Sequence, residues 1–537
     1  MSPQNILLPL FFLLFLVGCD TSARKPIAHL KLDSTDLIVE VVANNLDVPW
    51  DIEPGPDGWI WFNEQKGSVS RLNLASGNIE HLLTIPDVYQ KRSTGLFSLV
   101  LHPQFTEVPH LFVHYTYLAG TYESYPLIKS RIVRYTFNGK ALVDPLIILD
   151  EIPGGNGHNG SRMIISEDLK LFFASGDNVD GRQSQDIENL AGKILRLNLD
   201  GSIPQDNPFS NNLVYSYGQR NPQGLTHGPN GMIFESEHGP ERNDEINIIR
   251  KGANYGWPGI SGFIDTPYET TLDETLQSIG SIAEWTPTIA TAGIAYFDHP
   301  SIPEWQNSIL LGTLKNQSFR VLSLTPDHSQ ITEERIYLQP TLGRIRDMFT
   351  TANGEIYLAT SNHDWHPRFF KRSYEGFPQS DDDKIIRIRK IEAAELKKIQ
   401  ALHNIPTLTE QENIVGEPTR RGRSGPSGED LYANNCAACH MPEGEGIPGV
   451  IPPLRQTTWV TDRRRSEEYI SAVLFGIDHP IEVLGETYNQ PMPSFADLLT
   501  DREIARVLSY VRNNFGNEGG WVDTDEVEAI RNSKASD

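Results

Sequence analysis

Between about residues 37 and 390 the apolar positions fall in short runs broken by Gly, Asn, Asp and Pro, and long helical periodicity is missing. One theme recurs: a turn such as Pro-Asp-Gly or Ala-Asn-Gly, an aliphatic or aromatic strand, a loop, then a second strand. It is legible in GWIWFNEQKGSVSRLNL at 58–74, HLFVHYTY with SRIVRYTF at 110–137, and LKLFFASGD with GKILRLNL at 169–199. It returns in GMIFESEHGPERNDEINII at 231–249, SILLGTLKNQSFRVLSL at 308–324, and GEIYLATSN with KIIRIRK at 354–390. Six such units predict a six-bladed β-propeller over 37–390, each blade a small antiparallel sheet around a channel. The missing long helices disfavour a doubly wound nucleotide-binding fold. The strand-like LIVEVVA at 37–43 is placed to close the ring by joining the last blade, because an edge strand needs a partner.

The pattern changes at 391. A short charged helix, IEAAELKKIQALHNI, leads into EPTRRGRSGPSGE, so 391–425 reads as a linker. A second, small all-α domain is expected over 426–518. Its closing helix, Asp501 to Phe515, sets Ile504, Val507, Leu508 and Val511 at helical spacing. Residues 519–537 read as a C-terminal tail. The fold class is therefore multidomain: an all-β six-bladed propeller followed by a small all-α domain.

At the other end, residues 6–18 run ILLPLFFLLFLVG, short for a bilayer span and suited to a signal-peptide core. The sequence Leu16-Val17-Gly18-Cys19 resembles a bacterial lipobox, which implies a signal peptide at 1–18, acylation of Cys19 and a tether at 19–36. The expected location is the periplasmic side of the membrane, held by lipid only, with Asp20 leaning toward the inner membrane.

Charge narrows the partners. The 537 residues carry 70 acidic and 46 basic side chains, a net −24, which argues against nucleic acid and against a polybasic membrane contact. There are only three cysteines, Cys19, Cys436 and Cys439, so no pair is left for a structural disulfide.

Residues 431–440 read LYANNCAACH. Two thiols three positions apart can form thioethers to both vinyl groups of a haem, and the adjacent His440 presents imidazole to the iron. Zinc would want a second Cys/His pair, and no further Cys exists. Met441 adjoins the proximal His440 and cannot reach around the ring. Met492, in the Pro-stiffened Gln490-Pro491-Met492-Pro493, is the expected sixth ligand. The domain looks like a class I cytochrome c.

Within the propeller a resemblance becomes specific. The motifs run from Val48-Pro49-Trp50 through His158-Asn159-Gly160-Ser161-Arg162, Gly192-Lys193-Ile194-Leu195-Arg196 and Gln219-Arg220-Asn221-Pro222-Gln223-Gly224. They continue with Glu237-His238-Gly239-Pro240, Asp244-Glu245-Ile246-Asn247, Asn254-Tyr255-Gly256-Trp257-Pro258, Gly312-Thr313-Leu314-Lys315 and Arg344-Ile345-Arg346-Asp347. In this order they are similar to the soluble glucose/aldose sugar dehydrogenases that use pyrroloquinoline quinone (PQQ) and calcium, a family that includes sorbosone dehydrogenase-like members.

The resemblance implies roles. PQQ is a tricarboxylate, and Lys315, Arg344 and Arg346 match its carboxylate binders; alternation sets the two arginines on one side of an extended segment. Arg220, Asn221 and Gln223 match contacts to the quinone end, and the carbonyls of Gly239 and Pro240 are implied calcium ligands. Glu245 and Asp265 match a second, structural calcium site, or are ordinary loop carboxylates. Trp285 walls the pocket by stacking, or is a core Trp. His158 is the implied general base, its imidazole titrating near neutrality.

Two departures bear on substrate. The family's glucose-oxidising members carry Asp before the catalytic His and Gln before the Gly-Leu turn, where this chain has Gly157 and Ser93-Thr94. The expected reaction sends a proton from an aldose hydroxyl to His158, hydride to PQQ, and electrons to the fused haem and then an external cytochrome or oxidase. The rivals are a PQQ dehydrogenase for a non-sugar alcohol, aldehyde or sorbosone-like substrate, and a non-catalytic propeller that binds glycan or protein.

Overall fold

A computed structural model describes residues 24–122, 125–240, 243–264, 267–369, 374–411, 428–496, 498–517, 519–520, 522 and 524–534. The signal segment 1–18, Cys19 and Asp265 lie outside them. The chain divides into two compact units, Met1–Val415 and Gly416–Asp537.

The first unit is built from six sheets. Five are four-stranded meanders, beginning with Pro49–Pro54, Leu96–Leu101, Met163–Ile165, Pro222–His227 and Thr291–Phe297. The sixth runs Ile345–Thr350, Ile356–Thr360, Ile385–Lys390 and then turns to the start of the chain, adding Asp36–Ala43 and Lys25–Lys31. The first strand of each sheet touches the first strand of the next, and Ile345–Thr350 returns to Pro49–Pro54, so the ring is closed.

Closure by Asp36–Ala43 answers the unpaired edge of the last blade: Val39 pairs with Ile388 and Val41 with Ile386. The stretch read as a tether is shorter than expected, because Lys25–Lys31 pairs antiparallel with Asp36–Ala43. Its Ala28 and Leu30 are wholly buried, which is the apolar reward that pulls this segment into the sheet. The linker helix forms at Ala393–Leu402, and Thr407–Leu408 then adds to Lys25–Lys31 in parallel.

Blade chemistry explains the sequence pattern. Second strands such as Trp59–Glu64 are covered on both faces and read as continuous apolar runs, whereas the outer strand Ile79–Thr84 is largely exposed and polar. A separate apolar core fills each gap between blades; Trp61, Leu99 and Val113 pack between the first and second, and Phe234, Leu311 and Trp285 between the fourth and fifth. The turns Pro56–Gly58 and Pro229–Gly231 are alike, with Asp57 and Asn230 at φ 58° and 57°, positions that short polar side chains tolerate.

The second unit packs Gly428–Asn435, Ser466–Phe475 and Asp501–Asn513 around one core. Asp501–Asn513 buries Ile504, Val507, Leu508 and Val511, and a capping box joins Thr500 to Glu503 at its start. A small hairpin, Ile481–Val483 with Glu486–Tyr488, accompanies the helices. One expectation is corrected here. The stretch 519–537 is no tail: Thr524–Lys534 is a helix whose Val527 is fully buried, and Arg531 donates to Asp501 Oδ1 at 2.7 Å and to the Leu499 carbonyl at 2.9 Å.

Candidate functional site

The loops between blades converge at one end of the propeller channel through close backbone approaches. Gly160, at φ 65°, and Gly176 let two loops touch: a Cβ on Gly160 would lie 2.4 Å from the Ala174 carbonyl, and one on Gly176 2.0 Å from that of His158. Ser161 N donates to the Ala174 carbonyl (2.9 Å) and Asn178 N to the His158 carbonyl (3.1 Å). Asp177 N in turn donates to the Arg220 carbonyl at 2.7 Å. This stitching sets His158, itself at φ 49°, against Asp177 and beside Arg220.

Nδ1 of His158 is 2.7 Å from Asp177 Oδ1, and Asp177 also accepts from Trp257 Nε1 at 2.8 Å and from Val179 N at 2.8 Å. Asp177 is 1% exposed. The carboxylate accepts a hydrogen bond from Nδ1–H, which leaves Nε2 as the free basic nitrogen. Burial and then the Arg220 charge push His158 below its ordinary pKa, against the opposing pull of Asp177. The imidazole is therefore neutral at neutral pH. Asp177 was not singled out from sequence; its only signal is the Gly-Asp that ends the strand Lys170–Ser175.

His158 opens onto a cavity of about 420 Å³ that Arg220, Asn221, Gln223, Gly239, Pro240 and Arg346 also line. The Arg346 guanidinium lies 3.9 Å over the Trp50 ring and reaches Asp364 Oδ2 at 3.1 Å, with only long contacts of 3.4 Å to Gln223 and Ser361. Burial pulls Arg346 down to about 9, with Arg344 and Arg162 adding to it against Asp364. Its charge is thus under-compensated. Arg220 donates through Nη1 to the carbonyls of His238 and Gly239, both at 2.9 Å, while its buried Nε has no partner among the described residues.

Other expected residues sit differently. Arg344 shares the Asp364 carboxylate with Arg346, as alternation predicts, but it is buried behind the wall, bonded to Asp364 at 2.6 Å and to Tyr374 at 2.7 Å. Burial pushes Asp364 up, yet Arg344, His366 and Arg346 together hold it well below the usual carboxylate range. Lys315 is exposed and outside the lining, its Nζ donating to Thr288 Oγ1 at 2.8 Å. Trp285 is no pocket wall. It is buried between blades, with Nε1 donating to Glu334 at 3.1 Å.

Glu245 is buried directly across the ladder from Glu284. Its Oε1 accepts from Gly262 N at 2.6 Å and its Oε2 from Asn247 at 3.3 Å. Burial raises it to about 7 despite those bonds, with Glu284 adding to the rise. Among the described residues, no three His, Cys, Asp or Glu side chains are grouped to hold a metal by themselves.

In the second unit, Cys436, His440 and Met492 line one cavity whose other walls include Leu454, Trp459, Val473 and Leu508. Nδ1 of His440 bonds the Pro452 carbonyl at 2.9 Å, directing Nε2 into that cavity. The Met492 backbone is pinned on both sides to Ile477, N to O at 2.8 Å and O to N at 2.9 Å. Cys439, one turn from the helix start, is exposed. These apolar walls, with Cys436, His440 and Met492 among them, are the residues that would hold a haem.

Comparison with known proteins adds to this geometry. Residues 46–366 match the family model described as glucose/sorbosone dehydrogenase, and 427–515 match cytochrome c. The aldose sugar dehydrogenase of Escherichia coli is 32% identical over 343 residues, 60% of this chain and 89% of that protein. The solved PQQ-bound form of aldose sugar dehydrogenase from Streptomyces coelicolor is 28% identical with a TM-score of 0.57, covering 66% of this chain and 98% of that one. Cytochrome c-552 of Thermus thermophilus is 42% identical over 91 residues, 17% of this chain and 68% of that protein.

Proposed function

The chain belongs to the glucose/sorbosone dehydrogenase family and carries a cytochrome c domain, and from that membership we propose that it oxidises an aldose at a PQQ held in the propeller cavity, passing electrons to its own c-type haem. One observation carries the reading: a neutral imidazole oriented by a buried carboxylate faces a cavity walled by guanidinium groups. A non-catalytic glycan- or protein-binding propeller has no need of that combination.

The donors suit the cofactor. Arg346, with its charge poorly matched by the protein, and Arg220, with a buried Nε unpartnered among the described residues, fit an anion rich in carboxylates, and Asn221 and Gln223 add amide contacts. PQQ, when bound, supplies the hydride acceptor. The protein's share is acid–base and positional: His158 Nε2 accepts the hydroxyl proton, and Asp177 keeps the tautomer and steadies the imidazolium that forms.

Calcium belongs to the proposal in two places. The Gly239 and Pro240 carbonyls are oxygen donors of the right kind, and the Gly239 carbonyl, which accepts from Arg220, keeps a second lone pair. The like-charged pair of buried Glu245 and half-buried Glu284 also favours a cation, and Asp265 belongs to the same proposed site. In the haem domain, Cys436 and Cys439 would hold the porphyrin by thioethers, and His440 and Met492, which line the cavity with Cys436, would bind its iron. An external cytochrome or oxidase drains the haem, and Cys19 anchors the chain on the periplasmic side.

A sorbosone-like aldehyde or a non-sugar alcohol is the second reading. Gly157 favours it: a Cβ there would meet only Val179 Cγ2, at 3.4 Å, so the cavity beside His158 stays open without any backbone demand for glycine. The test is dye-linked oxidation of a panel of aldoses, aldehydes and alcohols by the full chain loaded with PQQ and Ca²⁺. Turnover of aldoses supports the primary reading, turnover confined to the others supports the second, and none supports a binding propeller.

A further inference from the structure

Trp257 lies outside the residues that line the cavity, yet it touches both charged groups beside His158. Its Nε1 donates to Asp177 Oδ2 at 2.8 Å, while Asp177 Oδ1 serves Nδ1 of His158 and the Val179 amide. The carboxylate is thus divided, one oxygen toward the imidazole and the other toward the indole. The ring of the same Trp257 lies 5.3 Å from the Arg220 guanidinium, within cation–π range.

The indole is braced from two sides. Gln185 Nε2 donates to the Trp257 carbonyl at 2.7 Å, and Gln185 and Asn254 exchange two amide hydrogen bonds of 2.9 Å. Trp257 N donates to the Gly218 carbonyl at 3.0 Å, two residues before Arg220. Gly181 leaves room for the indole, since a Cβ there would lie 2.9 Å from its Nε1. Asn254 and Trp257 are thereby tied both to the loop that follows Asp177 and to the loop that carries Arg220.

Both contacts act on His158 in one direction. An N–H on Asp177 draws on the carboxylate charge and weakens its pull on an imidazolium, and an Arg220 held in place repels that imidazolium. The charged and titratable groups around the ring are Asp177, Arg220 and His238, and Arg220 in turn faces Asp177, Glu237, Asp244 and Glu245. Resting on the dehydrogenase reading, the geometry points to Trp257 as a positioning residue that sets how readily His158 takes a proton, by engaging the second oxygen of Asp177 and holding Arg220 against its ring. The indole N–H only donates, so Trp257 takes no proton itself.

The test uses the full chain with covalent haem and two readouts. Carbethoxylation of His158 by diethyl pyrocarbonate across pH, followed by mass spectrometry of its peptide, needs neither cofactor nor turnover. The pH profile of kcat/KM for an aldose, with PQQ and Ca²⁺ added, is the second. Trp257→Phe keeps a ring and removes the N–H, and is expected to move the His158 midpoint and the acid limb up together, by about half a pH unit or more. Trp257→Leu removes both contacts and moves them further. In an Asp177→Asn background Trp257→Phe should move the midpoint little, because the group it acts through is gone. If Trp257→Phe does not fold, Gln185→Leu, which loosens the brace without touching the dyad, is expected to move the midpoint upward by a smaller step. A midpoint unmoved in the folded variant, or moved equally with and without the Asp177 carboxylate, overturns the inference and leaves the dehydrogenase standing. A midpoint that moves as expected in a protein that oxidises no sugar, aldehyde or alcohol upholds the role of Trp257 and overturns the dehydrogenase reading instead.

Discussion

Nδ1 of His158 sits 2.7 Å from Oδ1 of Asp177, a carboxylate that Trp257 and the Val179 amide also hold. The pair makes the ring a base at one nitrogen only. His158→Ala is expected to lower kcat by about a hundredfold or more. Asp177→Asn keeps the ring but loses control of its tautomer, and is expected to cost about tenfold or more in kcat with KM little changed. Steady-state kinetics on both variants checks this.

The pH profile follows from the same neighbours. Because burial and Arg220 hold His158 below its ordinary value, activity should rise on an acid limb below about pH 6.5 and be flat through neutrality. Asp177 raises the imidazole pKa, so Asp177→Asn moves that limb to lower pH; Arg220 lowers it, so Arg220→Gln moves the limb higher. Profiles of kcat/KM for the three proteins give the signs directly.

Arg344 and Arg346 share Asp364 yet have separable roles. Arg344 is 1% exposed and fully engaged, so Arg344→Met leaves a buried carboxylate short of its main partner and is expected to destabilise the fold by about 3–5 kcal/mol. Arg346 faces the cavity, so Arg346→Gln should weaken PQQ binding by about tenfold with a smaller loss of stability. Thermal unfolding of the apo-propeller and PQQ titration separate the two.

How much of this was legible beforehand divides along physical lines. The ring of blades, its closure by 37–43 and the haem motif follow from local patterns that no distant contact overrides. His158, Arg220 and Arg346 were found because each stands in a distinctive motif. Asp177 was missed because one Asp after a strand looks like any turn residue until Gly160 and Gly176 bring two loops together. Trp285 stayed open between pocket wall and core because a strand Trp looks the same whether it faces a ligand or a neighbouring blade; here it packs between blades and the half-buried Glu334 of the outer strand accepts its N–H. The N-terminal strand reads as a tether and the C-terminal helix as a tail since their burial depends on edges supplied by remote segments.

Glu245 and Glu284 oppose each other across a ladder, so a bound divalent cation should stabilise the propeller. At a hundredfold excess of Ca²⁺ over its dissociation constant the gain is about 2.7 kcal/mol. Glu245→Gln is expected to raise the stability of the calcium-free protein and abolish the calcium-dependent rise in Tm, seen by calorimetry with and without chelator.

The most direct measurement mixes the oxidised, PQQ-loaded full chain with excess aldose, without any external acceptor, and follows the haem absorbance. The account predicts reduction of the haem at a rate independent of protein concentration, as expected for transfer within one chain, and its loss in His158→Ala. A haem that stays oxidised with every aldose, while a chemical reductant still reduces it, would contradict the account.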